Sequence, residues 1–255
     1  MRGDRKVHPN LITEAQSKWG KFSVMKNDFI GKYFIRGKHF EEEYVLELIK
    51  FIEDGDVILD VGANIGSYAV PFAKEVGENG KVHAFEPQGV IYDLLERNVD
   101  QNGLSNRIMT YNLAVGNKDG IMTTMNSLCD TNTPVDYVTD RHVNYGGMNL
   151  GKGGEPVKLV SLDRWIEREG IYGVKLIKID VEGAERLVID GARELIKRDR
   201  PVVFYEENWK NITSQMVEMY DLKNDVILMD IRKFFIEEMG YSEVRKLGNN
   251  WLAIP

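Results

Sequence analysis

Over residues 57–113 the chain alternates apolar and amphipathic segments joined by short turns, and that alternation, more than any other feature, limits what it can fold into. Residues 57–61 form a short β-branched run closed by glycines, as expected of a strand buried on both faces. A helix is expected over 64–76, a strand over 81–85, a helix ending near 101 at Asn102-Gly103, and a strand over 107–113. Such a β-α-β-α-β run implies parallel strands with right-handed crossovers, and ligands then bind at the carboxyl ends of the strands. The alternation resumes with a helix over 161–168, a strand over 174–179, a helix over 184–197, a strand over 202–205 and a helix over 231–239. Strands over 242–247 and 251–254, joined by Gly248-Asn249-Asn250, must be antiparallel to each other. The expected fold is a doubly wound α/β domain spanning 1–255, with a mostly parallel seven-stranded sheet and a reversed terminal strand.

Two segments fall outside the alternation. Residues 1–54 read as an N-terminal helical extension, with a helix over 40–51 that carries Glu41 to Glu43 in its first turn, where the helix dipole favours anions. Residues 116–156 are polar and glycine-rich, as in a functional loop, a small hairpin or a mobile lid. The chain carries 33 basic and 40 acidic side chains, a net charge of −7, which argues against nucleic acid or an anionic membrane surface as a partner. Cys129 is the single cysteine, so no internal disulfide can form. No apolar leader occupies residues 1–10 and no apolar run reaches membrane-spanning length, so a reducing, cytoplasmic location is expected. Oligomeric state is left open.

The turn after the first strand reads Leu59-Asp60-Val61-Gly62-Ala63-Asn64-Ile65-Gly66-Ser67-Tyr68. Gly62 and Gly66 allow a ligand and the helix backbone to approach closely, and the free N–H groups of the helix start suit a carboxylate. Their spacing departs from the G-x-G-x-x-G that packs a pyrophosphate in nicotinamide-binding folds. Twenty residues beyond Gly66, Glu86 precedes Pro87 at the end of the second strand. There it could accept hydrogen bonds from both ribose hydroxyls of an adenosine and would repel a 2′-phosphate. The plainer alternative is a tight turn with two ordinary strand-end carboxylates.

A second cluster, Lys178-Ile179-Asp180-Val181-Glu182-Gly183-Ala184-Glu185, ends the strand expected beside that turn. Asp180 could orient an attacking hydroxyl and take its proton. Helix capping by Asp180, with Glu182 or Glu185 favouring the dipole, would explain the same residues. Glu206, at the next strand end, is a second candidate for gripping or deprotonating a polyol, against a solvated strand terminus. His142 could act as a base, against simple exposure in a polar loop. Asp180 and Glu206, with Asp163 or His142, offer oxygen-rich ligands for a hard divalent cation, but no compact spacing demands one and no metal is expected.

Asp60-Val61-Gly62-Ala63-Asn64-Ile65-Gly66, Ala84-Phe85-Glu86-Pro87, Asn98 with Asn102-Gly103, Ala114-Val115-Gly116, Leu162-Asp163 and Ile179-Asp180-Val181-Glu182-Gly183-Ala184-Glu185 resemble, in order, the signatures of FkbM-type methyltransferases. The resemblance covers residues 57–206. It implies a class I, Rossmann-like methyltransferase fold, S-adenosylmethionine as donor, and a hydroxyl of a sugar, polyketide or other small molecule as acceptor, a glycan hydroxyl leading. It also implies that Gly62, Asn64, Gly66 and Glu86 are cofactor positions and that Asp180 and Glu182 face the donor. Asp60, Ser67, Tyr68, Pro87 and Ala114 join them as expected cofactor contacts. On this reading 57–115 is the cofactor-binding half and 157–255 the acceptor-side half. Gly89 and Ala69 stand where the family often has proline and threonine, and neither departure touches the expected chemistry. Residues 137–154 match nothing in the family and are expected to shape the acceptor pocket.

Three other readings are weaker. A nicotinamide oxidoreductase conflicts with the glycine spacing and the reversed strand. A nucleic-acid amino-methyltransferase would carry an Asn/Asp-Pro-Pro-aromatic motif where this chain has Asp180-Val181-Glu182-Gly183. A non-catalytic cofactor-binding scaffold has no need of the intact Gly62, Gly66, Glu86 and Asp180.

Overall fold

The computed structural model describes residues 9–120, 122–129, 144–150, 156–207 and 229–255. In chain order the elements are β1 (Ile12–Ser17), β2 (Gly20–Met25), α1 (Phe29–Ile35), α2 (Glu42–Leu48), β3 (Val57–Val61), α3 (Ala69–Glu75), β4 (Lys81–Phe85), α4 (Gly89–Gln101), β5 (Ile108–Tyr111), β6 (Ala114–Gly116), β7 (Met122–Cys129), β8 (Met148–Leu150) and β9 (Pro156–Ser161). They continue with α5 (Leu162–Glu169), β10 (Val174–Ile179), α6 (Glu185–Asp190), α7 (Arg193–Asp199), β11 (Val202–Glu206), α8 (Ile231–Lys233), β12 (Glu243–Leu247) and β13 (Asn250–Ile254).

Seven strands form the central sheet in the order β12-β13-β11-β10-β3-β4-β5. The five from β11 to β5 are parallel neighbours. β13 runs antiparallel to both β11 and β12, which makes it the reversed strand expected from the tight terminal turn. This is the doubly wound class I methyltransferase topology.

Period-two alternation divides the sheet into two apolar faces. Ile58, Val82, Ala84, Leu176, Phe204 and Leu252 point toward α3, α4 and the N-terminal segment. Leu59, Val61, Phe85, Ile177, Ile179, Val203 and Tyr205 point toward α5, α6, α7 and the segment containing Phe234 and Phe235. The same alternation puts Asp60, Glu86, Lys178, Asp180 and Glu206 on the first face, at its carboxyl edge. Asp60 lies opposite Lys178 across the β3–β10 pair, so the register alone brings these two charges together.

Several expectations need correction. The segment 1–54 is not simply a helical extension, because β1 and β2 form an antiparallel hairpin ahead of its helices. Phe22, Ser23 and Val24 are all fully buried, since β2 packs on α1 from one side and on α4 from the other. The Ser23 amide donates to Asn98 Oδ1 at 2.7 Å, and Asn98 Nδ2 donates to the carbonyls of Ser23 at 3.1 Å and Ile65 at 2.8 Å. Within 116–156 the described strands β7 and β8 pair antiparallel and join β9 and β6 in a four-stranded sheet. The helix expected over 184–197 is broken at Gly191, whose carbonyl accepts from the Asp163 amide at 2.8 Å. The helix expected from 64 begins at Ala69, because Asn64 takes a left-handed conformation with φ of 49°.

Candidate active site

The carboxyl ends of β3, β4, β10 and β11 open into a cleft of about 1140 Å³, part of it open to solvent. Its walls include Gly62, Asn64, Ser67, Tyr68, Glu86, Pro87, Ala114, Asp180, Glu182 and Glu206. The sequence-derived residues therefore converge on one place, although they span more than half the chain. Asp60, in β3, and Gly66, in the turn after it, are not among the lining residues. His142 lies outside the described residues.

The glycine turn explains the convergence. Gly62 has φ of 79°, and a Cβ there would stand 1.8 Å from the Asp180 carbonyl oxygen. Only glycine lets the β10 loop lie against the β3 loop, so Gly62 serves backbone packing within the fold as well as access for a ligand. Gly66 faces Leu95 of α4, and a Cβ there would meet Leu95 Cδ1 at 3.0 Å, so its bare backbone lets α4 close against the turn.

Glu86 is 3% exposed, and its two carboxylate oxygens accept from the amides of Asn64 at 2.9 Å and Gln88 at 2.8 Å. These bonds fix the carboxylate and leave acceptor capacity on each oxygen. Burial pushes its pKa up to about 7 against those two bonds.

Lys178 is the centre of the opposite wall. Its ammonium donates to the Gly62 carbonyl at 2.7 Å and lies 3.3 Å from Asp60 and 3.6 Å from Asp180. It also sits 5.2 Å from the centre of the Tyr68 ring. Burial works to lower its pKa, but Asp60, Asp180 and Glu41 outweigh burial and hold it above the ordinary lysine value. Asp60 is fully buried, and burial pushes its carboxyl up against the pull of Lys178.

Asp180 does not cap the next helix: the cap position of α6 is Ala184, and no side chain bonds there. Glu185 instead ties the loop ahead of the helix, its Oε1 accepting from the amides of Val181 at 3.2 Å and Gly183 at 3.1 Å. Asp180 is left partly exposed in the cleft. Glu206 faces it, its pKa pushed up to about 7 by burial and then by the charges of Asp180 and Glu41. Asp180, Glu182 and Glu206 each bring a carboxylate oxygen within 4.8 Å of the others, a proximity that their sequence spacing did not reveal and that suits a hard cation. Asp163 is not among them. Its carboxylate accepts from the amides of Glu194 at 3.1 Å and Leu195 at 2.9 Å, so it holds the first turn of α7.

Sequence reasoning missed the contribution of the N-terminal segment. Phe29, Ile30, Phe40 and Glu41 line the cleft. Glu41, read as a first-turn helix residue, is left-handed with φ of 53° and caps nothing. Its carboxylate accepts from the Tyr68 hydroxyl at 2.7 Å. Burial, then Asp180, raises its pKa. His39 Nε2 donates to the Ser67 carbonyl at 2.7 Å, so the segment grips the glycine turn directly. Tyr145 ties the insert to the same place: its carbonyl accepts from Gln88 Nε2 at 2.7 Å, and its amide donates to Asp28 at 3.1 Å. Nothing in the sequence marks these contacts, and the strand Val-Lys-Leu-Ile-Lys-Ile does not by itself tell the buried Lys178 from the exposed Lys175.

The methyltransferase FkbM domain family matches residues 60–243. The hexuronic acid methyltransferase AglP of Haloferax volcanii is 25% identical over 185 residues, covering 72% of this chain and 69% of that protein. The 31-O-demethyl-FK506 methyltransferase FkbM of Streptomyces tacrolimicus is 27% identical over 192 residues, covering 67% and 68% respectively. Among solved structures, the methyltransferase FkbM of Methylobacillus flagellatus KT aligns with a TM-score of 0.49 at 16% identity, over 80% of this chain and 44% of that one. With the matched region spanning both the glycine turn and the Asp180 loop, the chain belongs to the FkbM methyltransferase family and is an S-adenosylmethionine-dependent enzyme.

Proposed function

We propose that the enzyme transfers the methyl group to oxygen, at a hydroxyl of a sugar or glycan. The observation that carries the reading is the convergence of Asp180, Glu182 and Glu206 within 4.8 Å at the polar end of the cleft, opposite the Glu86 end. A hydroxyl is a weak nucleophile, and a nearby carboxylate can both orient it and accept its proton.

The residues present fit the donor. Glu86 is anchored by two amides yet still lines the cleft, as a ribose-binding carboxylate should, and Phe85, Leu113, Ala114 and Val115 offer apolar surface beside it. In this reading Glu86, Pro87 and Ala114 hold the adenosine, while Gly62, Asn64, Gly66, Ser67 and Tyr68, over Asp60, hold the amino-acid end. The bound donor supplies an activated methyl on a sulfonium. The chain aligns the acceptor, excludes water behind the N-terminal segment and 144–147, and receives the proton at the Asp180 carboxylate. Glu206 grips a second polar group. The division into a donor half at 57–115 and an acceptor half at 157–255 belongs to the same proposal.

A relative named for a 31-O-demethyl compound supports oxygen as the target atom, and one named for a hexuronic acid supports a sugar-type acceptor. A panel of sugars and non-sugar alcohols with isotopically labelled donor tests this. A label on a sugar oxygen, located by NMR, is expected; a label on nitrogen or carbon, or on non-sugar alcohols alone, contradicts it.

A further inference from the structure

The charge of the cleft bears on which acceptors can enter. Among the described residues that line it, Glu41, Glu86, Asp180, Glu182 and Glu206 carry carboxylates and Lys178 carries the one ammonium. That ammonium is already engaged, at 2.7 Å by the Gly62 carbonyl and at 3.3 Å and 3.6 Å by Asp60 and Asp180. Its charge is already shared with these two carboxylates, so it does little to offset the acids around it. Away from Glu86, the other four carboxylates sit around the Asp180 end.

Glu41 stands apart from the rest because it comes from outside residues 60–243, the part shared with the family. The N-terminal segment delivers it with Phe29, Ile30 and Phe40, while Tyr68 fixes one of its oxygens at 2.7 Å. The other oxygen has no hydrogen-bond constraint from Tyr68 and can accept from a ligand.

Resting on the sugar O-methylation reading, we propose that Glu41 is a specificity-determining residue that, with Asp180 and Glu206, selects acceptors bearing an ammonium or only hydroxyls and rejects uronates and sugar phosphates. An anionic group entering beside these carboxylates meets like charge in a partly dehydrated site, where such juxtaposition disfavours binding. An ammonium or hydroxyl on the same position instead donates to them.

The test compares initial rates for a hexose, the matching amino sugar and the matching uronate in the full-length wild type and in Glu41→Gln. The glutamine keeps an oxygen to accept from Tyr68, so the variant retains the wall and loses only its charge. Donor affinity is measured for both by calorimetry. The wild type is expected to prefer the hexose over the uronate by about tenfold or more in kcat/KM, with the amino sugar at least equal to the hexose. The variant is expected to narrow the hexose-to-uronate ratio by about fivefold while donor affinity holds within about twofold. Equal wild-type rates for hexose and uronate, or an unchanged ratio in Glu41→Gln, overturn the inference while leaving O-methylation intact. A tenfold loss of donor affinity in the variant also overturns it, by assigning Glu41 to the donor. Methylation at no sugar oxygen overturns the underlying reading, and this inference with it.

Discussion

At the scale of single residues, the site rests on a division of labour among carboxylates that look alike in sequence. Glu185 and Asp163 spend their oxygens on backbone amides, whereas Asp180 and Glu206 keep theirs toward the cleft. Asp180→Asn preserves shape but removes the proton acceptor. It is expected to leave binding of S-adenosylhomocysteine within about twofold and to lower kcat by about 10²- to 10³-fold in single-turnover experiments. Normal turnover would take the proton-accepting role away from Asp180. Glu206, with its pKa pushed up to about 7, is protonated below neutrality and ionised above it. The rate should therefore rise as pH passes through about 7, and Glu206→Gln should remove that limb from the profile; an unaltered limb would assign it to another group. Gly62, Glu86 and Asp180 were legible in the sequence because each sits at a strand end in a fixed register. Glu41 and Lys178 were not, since an acid in an acidic run and a lysine in a strand declare nothing until the sheet places them together.

Among the elements, the loop between β10 and α6 shows how local structure prepares the site. It approaches β3 only because Gly62 lacks a side chain, and Glu185 ties its amides from within. Burial raises the Glu185 pKa from 4.5 to about 7. A carboxyl with a raised pKa in the folded state favours the protonated form. Its contribution to stability is complete below its unfolded value near 4.5 and is lost as pH rises through about 7. Glu185→Gln keeps an oxygen to accept both amides and never ionises. Its melting temperature should gain on the wild type between pH 5 and pH 8, by on the order of 5 °C. A constant difference across that range would mean that Glu185 ionises without penalty. The elements most visible in the sequence were those buried on two faces, β3, β4, β10 and β11, whose apolar runs have no other explanation. The β1–β2 hairpin escaped notice because its strands, Ile-Thr-Glu-Ala-Gln-Ser and Gly-Lys-Phe-Ser-Val-Met, mix polar and apolar residues and form no continuous apolar run.

For the whole molecule, the order of the central sheet was readable because short crossovers and one tight terminal hairpin leave few topologies open. What the sequence could not convey was how the segments outside the alternation close over the cleft. The N-terminal segment reaches the glycine turn through His39 and Ser67, and the insert reaches Gln88 and Asp28 through Tyr145. These contacts join positions far apart in the chain and follow no local pattern. Their role in catalysis depends on the donor lying along the Glu86 wall. The most direct measurement is the calorimetric affinity for S-adenosylhomocysteine of the wild type and of Glu86→Ala. Loss of that anchored carboxylate should weaken binding by about 100-fold, while the melting temperature without ligand stays high enough to show a folded protein. Equal affinity in a folded Glu86→Ala variant would contradict the donor site described above.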